Sequence, residues 1–531
     1  MCKNRLLSVF ICLAMLVAAG GARAQTDDYQ TIWHCSGAEE DSEFGRAIVS
    51  AGDQNMDGYD DILVSNFGSA EVYLFFGGPI GEMDTIPDMV FTEDHRVNYG
   101  HLPYECRDLN GDDYPDFTIG ADNNTWPEKV FVYFGGELLD NQADLTIEPE
   151  PGHIGSDFGE EITMGDFNGD GDFDLVVGAL WYHPMDYVPG KIYVYYGGLD
   201  FDSIPDFTIT GSSDYYGLHN IGQHISCGGD VNNDGFNDIL TDGEMGGLGI
   251  DHGRMMFLGG SDPDTIPDWE FRTYQGDPYY PSAGTFILPD FTGDGYDEIV
   301  SGMMFYGECA AWVFYGGEEV DTTWNLWLEG WGGSQNGCAY AGDVNNDGWS
   351  DVMLGNKGLG RIYMFLLNPT WPSGAVKHHD FYISYPGIGS NRCMGFAGDV
   401  NGDEVDDFMY ASWWENMRGE VFISSNPDLS SVEPFKIQNS KFKILSAYPN
   451  PFNSSTAISY QLQADRYVKL AVYDVIGREV AVLLGCQQAA GSYQLNWDGN
   501  DFNGVPLPSG IYIVQMKCGA VSESRKLILL K

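Results

Sequence analysis

Short apolar runs alternate along most of the chain with stretches rich in Asp, Asn and Gly. The first unit reads Ala47–Ala51, Ile62–Ser65, Val72–Gly78 and Met89–Phe91. A later one reads Glu161–Met164, Leu175–Val177, Ile192–Gly198 and Phe207–Ile209. Each run is too short for a helix and is rich in β-branched and aromatic residues, so each predicts a strand. Four consecutive strands joined by short turns predict one blade of a β-propeller.

The unit recurs seven times, marked by a nine-residue pattern: acid at position 1, Asn at 3, Asp at 5, usually Gly at 6, acid at 9. The copies are Asp53/Asn55/Asp57/Asp61, Asp108/Asn110/Asp112/Asp116, Asp166/Asn168/Asp170/Asp174 and Asp230/Asn232/Asp234/Asp238, followed by Asp290/Thr292/Asp294/Glu298, Asp343/Asn345/Asp347/Asp351 and Asp399/Asn401/Asp403/Asp407. Their starts lie 55, 58, 64, 60, 53 and 56 residues apart, which leaves room for four strands each. Thr31–Trp33 precedes the first motif, and the last unit ends on Val421–Ile423, one strand short. The N-terminal strand is expected to fill that place and close the ring. The predicted architecture is all-β: a seven-bladed β-propeller over 27–425, a linker over 426–446 and an Ig-like β-sandwich over 447–531.

Oxygen side chains at positions 1, 3, 5 and 9 of a tight loop suit a hard cation, and calcium takes six to eight oxygens. Position 7 is expected to add a backbone carbonyl, and the acid at 9 to bind through both oxygens. Gly at position 6 permits a left-handed turn. Copies one, three, four and six fit fully. Copy five substitutes Thr292 and Glu298, and copies two and seven carry Asp113 and Glu404 at position 6. A single copy would read as a hairpin turn; seven in register point to metal. The loop resembles the start of an EF-hand but continues into a strand instead of a helix.

Charge supports this reading. The chain holds 25 Lys plus Arg against 79 Asp plus Glu. Lys3, Arg5, the apolar run Leu6–Ala19 and Ala22-Arg23-Ala24 predict a signal peptide over residues 1–24. Without that leader the net charge is −57, which disfavours nucleic acid and anionic lipid as partners. No other run is long and apolar enough to predict a membrane span. Eight cysteines remain after the leader at irregular spacing, and no pairing follows from them.

With these residues in view, the units resemble FG-GAP repeats, the family that builds the integrin α propeller. Phe44-Gly45, Phe158-Gly159 and Gly178-Ala179 carry the resemblance. It implies the propeller and calcium, and it leaves the ligand open. The C-terminal stretch resembles the sorting domain of type IX secretion and the related FlgD-type Ig-like domain. Tyr448-Pro-Asn-Pro, Asp474-x-x-Gly477, Gly510-Ile-Tyr512 and Trp497–Gly504 carry that likeness. It implies contact with secretion machinery and a secreted or outer-surface location.

The functional expectation is a recognition or adhesion module for an extracellular glycan or glycoprotein. The alternative is a secreted polysaccharide hydrolase or lyase, since two carboxylates suffice for a glycosidase. The sequence has no HExxH, GxSxG or thiol motif, so no catalytic residue is assigned. The connections between second and third strands supply aromatic candidates for sugar binding: Trp126, Trp181, Tyr182, Tyr306, Trp413 and Trp414.

Overall fold

A computed structural model describes residues 29–426 and 442–529. Left out within the first span are 39–41, 93–97, 103–105, 123–127, 137–138, 151–155, 181–189, 212–217, 246–250, 273–278, 306–307, 331–336, 385–392, 413–417 and positions 357, 370 and 372; within the second, 449–451, 454, 463–465, 475–477, 489–490, 501–506 and 519–520. The chain divides into two compact units, Met1–Leu429 and Ser430–Lys531.

The first unit is a seven-bladed propeller. Blade one pairs Phe44–Gly52, Asp61–Asn66, Glu71–Phe75 and Met89–Thr92 in order, each antiparallel to the next. Blades two to six repeat that order. Blade seven takes three strands from Met394–Gly398, Asp407–Ser412 and Glu420–Ser425, and its fourth is the N-terminal strand Gln30–Ser36. Gln30 lies opposite Ser425 and Ser36 opposite Glu420. The expected ring closure is therefore present.

Blade faces are apolar on both sides because each blade is packed between two others. Ile62, Leu63 and Val64, consecutive on one strand, are all fully buried. Among the described residues seven apolar clusters fill the seven gaps between blades. One of them joins Trp33, Met409, Val421 and Ile423 of blade seven to Phe44, Ile62 and Phe75 of blade one. The gaps are narrow where Gly stands: a Cβ on Gly178 would lie 2.2 Å from the Gly222 carbonyl oxygen of the next blade. That contact explains the Gly of the Gly-Ala dipeptide after the third motif.

Blade five departs from the four-strand pattern. The connection between the last two strands of blade six contains Ala375–His378, which pairs parallel to Leu326–Glu329 on the outer edge of blade five. His378 Nδ1 lies 2.9 Å from Glu329. The strap covers an edge that would otherwise be open.

The second unit has two sheets. One orders Phe442–Tyr448, Thr456–Leu462 and Gly491–Trp497; the other orders Glu479–Gln488, Arg466–Asp474, Gly510–Cys518 and Val521–Leu529. Trp497, Leu470, Val514 and Leu527 form its core, and the Trp497 indole donates to Asn500 O at 3.0 Å. Seven strands in two sheets match the expected sandwich.

Among the described residues Cys35, Cys106, Cys227, Cys309, Cys338 and Cys393 are buried thiols. No helix among them is long and apolar enough to cross a membrane.

Candidate metal centre

Each nine-residue loop joins the first strand of a blade to the second, so all seven lie on one face. Position 6 is left-handed in every copy, with φ from 64° at Glu404 to 98° at Gly171. Asp113 and Glu404 therefore adopt the same turn as the glycines, at some backbone cost. Position 4 is also left-handed throughout, from Asn346 at 54° to Gly111 at 79°. The nine-residue pattern leaves position 4 unspecified, although Gly, Asn or Met stands there in every copy.

The two left-handed residues turn amide groups toward the acid at position 1. Asp53 accepts from the N–H of Asp57 at 3.0 Å and of Gly58 at 2.7 Å. Asp166, Asp230 and Asp343 do the same with their own loops. Asn55 and Asp57 accept the N–H two residues on, at 2.9 and 3.1 Å. The loop is thus held by local turns that its own side chains close.

The acid at position 9 has a second task. It is fully buried in every copy. Asp61 accepts from Gln54 N–H in its loop and from Gly77 N–H at the end of the third strand, both at 2.8 Å. Asp116, Asp174, Asp238 and Asp351 bridge the same two elements. Burial pushes these carboxyls far above their ordinary range: Asp116, Asp174 and Asp238 to about 7, Asp61 and Asp407 to about 8, Glu298 and Asp351 to about 9. Acids at positions 1 and 5 raise most of them further, and the backbone N–H bonds pull them down.

The predicted ligand sets are not equally assembled. Among the described residues one trio of acids brings carboxylate oxygens within 4.8 Å of one another: Asp290, Asp294 and Glu298 of copy five. That copy carries the least regular sequence. In copies three, four and six the position-3 amide, expected as an oxygen ligand, also contacts the acid at position 5. Asn168 Nδ2 donates to Asp170 Oδ2 at 2.9 Å, while Asn168 Oδ1 takes the Asp170 N–H at 2.8 Å. Asn232 engages Asp234 in the same two bonds at 2.9 and 3.0 Å, and Asn345 engages Asp347 at 3.2 and 2.9 Å. Asp170 in turn lies exposed and accepts the Asp172 N–H at 3.0 Å. The physical reason is local: a carboxylate set among carboxylates draws the nearest N–H donor, and the position-3 amide is two residues away. Asn168, Asn232 and Asn345 therefore brace the acid at position 5 as well as carrying an oxygen of their own.

Copy seven is arranged differently again. The Asn401 amide donates to both oxygens of Asp407, at 3.0 and 2.9 Å. In copy two, Asn110 donates to Asp112 at 3.2 Å, and Asn110 Oδ1 is buried with no hydrogen-bond partner. The donor set still fits a hard divalent cation, chiefly through the acids at positions 1, 5 and 9. All-oxygen ligands around a tight turn suit calcium or magnesium better than thiophilic metals.

Position 8 is also absent from the nine-residue pattern. Asp60, Asn237, Asp297 and Asp406 reach across the gap to the preceding blade. Each accepts the backbone N–H of that blade's position 1, namely Asp399, Asp166, Asp230 and Asp343, at 2.7–2.8 Å.

Trp126, Trp181, Tyr182, Tyr306, Trp413 and Trp414 lie outside the described residues, in the chain between the second and third strands of their blades.

Fold and loops together define a seven-bladed propeller carrying an Ig-like module. Residues 158–195 match the FG-GAP repeat model, and residues 451–520 match the FlgD Ig-like domain. Integrin alpha-5 of Xenopus laevis is 29% identical over 197 residues, covering 35% of this chain and 18% of that protein. Integrin alpha-3 of Cricetulus griseus is 36% identical over 118 residues, covering 22% and 10%. Phosphatidylinositol-glycan-specific phospholipase D of Bos taurus is 26% identical over 213 residues, covering 34% and 25%. The chain thus spans a quarter or less of the length of these relatives. A WD40 domain from Toxoplasma gondii coronin overlays with a TM-score of 0.41 at 10% identity, covering 76% of this chain and 85% of that one.

Proposed function

We propose that this chain is an exported recognition or adhesion module. Calcium in the seven loops stiffens the propeller, and the opposite face reads an extracellular glycan or glycoprotein. The observation that carries the calcium part is the shared loop geometry: two left-handed positions in every copy, folded around an acid at position 1. Similarity to integrin α chains supports the recognition role. The metal face is committed to its loops. The ligand therefore belongs on the side of the connections carrying Trp126, Trp181, Tyr182, Tyr306, Trp413 and Trp414, whose ring planes suit sugar faces.

A glycan array probed with the full chain, with and without calcium, tests this reading. Replacing Trp181, Tyr182, Trp413 and Trp414 with Ala is expected to lower binding at least tenfold in a protein whose melting is unchanged (~1.4 kcal/mol). Retained binding would assign the ligand elsewhere.

The module over 447–531 serves export or surface attachment in this reading, with the leader over 1–24 taking the chain out of the cytoplasm. Deleting residues 447–531 is expected to leave the propeller folded and strand it short of the cell surface. Surface display of the truncated chain in its native host would contradict the assignment.

Similarity to a phospholipase D favours a second reading, an enzyme acting on a polysaccharide or a glycolipid. Turnover of any member of a polysaccharide and glycolipid panel would establish it in place of the first.

A further inference from the structure

The bridges from position 8 divide the seven loops into unequal groups. At the junction of blades seven and one, Asp60 Oδ2 accepts Asp399 N–H at 2.8 Å while Asp60 N–H donates to Asp399 O at 3.1 Å. Asn237 makes the same reciprocal pair with Asp166, both bonds at 2.8 Å. Asp297 pairs with Asp230 at 2.8 and 3.1 Å, and its other oxygen takes Asp290 N–H of its own loop at 2.9 Å. Asp406 takes Asp343 N–H at 2.7 Å. The remaining junctions have Pro115, Phe173 and Ser350 at position 8. Pro and Phe have no side-chain acceptor, and among the described residues Ser350 makes no such bond.

Loops three, four and five are therefore linked in one run, and loops six, seven and one in another. Loop two has no such bridge to a position-1 residue; Gln54 Nε2 of loop one donates to Pro115 O at 2.7 Å, and Leu109 O accepts the Gly198 N–H of blade three at 2.8 Å. In each link the bridged N–H belongs to the residue whose carboxylate opens the neighbouring metal loop. Rings at position 7 pack on the neighbouring loop with or without a bridge: a Cβ on Gly402 would lie 2.4 Å from Tyr59, one on Gly169 2.3 Å from Phe236, and one on Gly293 2.9 Å from Trp349 at the unbridged junction of blades five and six.

We infer that Asp60, Asn237, Asp297 and Asp406 are positioning residues that couple cation binding between adjacent blades, so that calcium fills loops three to five and loops six, seven and one as two linked triplets, with loop two outside both. The inference rests on the calcium reading above. A position-1 carboxylate is held in place by a side chain that ligates nothing in that loop. Ordering one loop fixes its position-8 residue and thereby preorganises the loop before it. The presence of Asn237 among the four shows that a neutral oxygen suffices, so charge is not the operative feature.

Native mass spectrometry of the full chain, counting ions at half-saturating calcium, tests the coupling. Asp112→Ala in loop two is expected to remove one ion. Asp234→Ala in loop four is expected to remove more than one, because loops three and five weaken with it. Both positions are exposed, so both variants should fold. Asp60→Ala is expected to weaken loop seven about tenfold, the scale of one lost hydrogen bond to a charged group, whereas Asp60→Asn should bind as the parent does. Equal losses from Asp112→Ala and Asp234→Ala would overturn the coupling while leaving calcium binding intact. No bound ion at any calcium concentration would overturn the calcium reading and the coupling with it.

Discussion

Chelating divalent cations at pH 8 is expected to lower the melting temperature by more than about 10 °C, and by less at pH 5. Free calcium at about a thousand times its dissociation constant stabilises the native state by about 4 kcal/mol per site. A few such sites rival the ~5–15 kcal/mol that holds a typical domain together. The pH dependence follows from the position-9 acids, whose native pKa values lie near 7 to 9, chiefly through burial. A carboxyl raised in this way contributes stability that is fully present below its unfolded value of about 4. Between the two values the native state keeps protons that the unfolded state has released, so stability falls as pH climbs through that window. The calcium-free propeller should therefore weaken steadily between about pH 4 and pH 9. Calcium should flatten that slope and release protons as it binds near neutrality. Calorimetry with calcium and with chelator at both pH values checks this. Superimposable melting curves would mean the loops hold no ion that matters. Elemental analysis is expected to find about five to seven ions per chain.

Trp33→Ala is expected to cost about 3–5 kcal/mol, the range for removing a large buried aromatic. Trp33 is 5% exposed and packs edge-on to Phe75 of blade one at 5.1 Å. Its indole donates to Asp84 O at 2.8 Å. The loss falls on the strand that closes the ring, so the variant should also expose the edge Glu420–Ser425 and self-associate. Denaturant unfolding and light scattering measure the two effects. A variant that stays monomeric with parental stability would show that the ring does not depend on this strand.

The propeller was legible because one unit is written seven times. A single Asp-x-Asn-x-Asp-Gly run is ambiguous, but seven copies with the same flanking strands are not. Closure by Gln30–Ser36 was legible from the count, since Val421–Ile423 had no successor. Position 8 was not legible. Asp60 reads as one more acid in a turn, and its partner Asp399 is 339 residues away. The strap Ala375–His378 was hidden for a related reason: it pairs with a different blade, so no local pattern announces it. The pairing of Asn168 with Asp170, repeated by Asn232 and Asn345, was equally hidden. An amide offers both a donor and an acceptor, and spacing alone does not say which one a neighbour will use. The second role of position 9 is equally invisible in the sequence. One residue type serves both metal ligation and backbone bridging, and the motif alone shows only the first.

The register of blade seven places Gln30 beside Ser425, which has a mechanical meaning. The connection to the C-terminal unit leaves the propeller at the end of Glu420–Ser425, on the very seam that closes the ring. A chain anchored through its C-terminal end and pulled through a bound ligand receives the load at Ser425. That strand is paired on both sides, Ser425 with Gln30 and Ser424 with Phe408, so load entering there meets two ladders at once. The link between Asp60 and Asp399 lies elsewhere, between blades seven and one on the side of the nine-residue loops, so it resists separation of those two blades. Opening the ring from this end therefore requires the strand ladders of blade seven to give way, and separating blades seven and one requires the link at Asp60 to break as well.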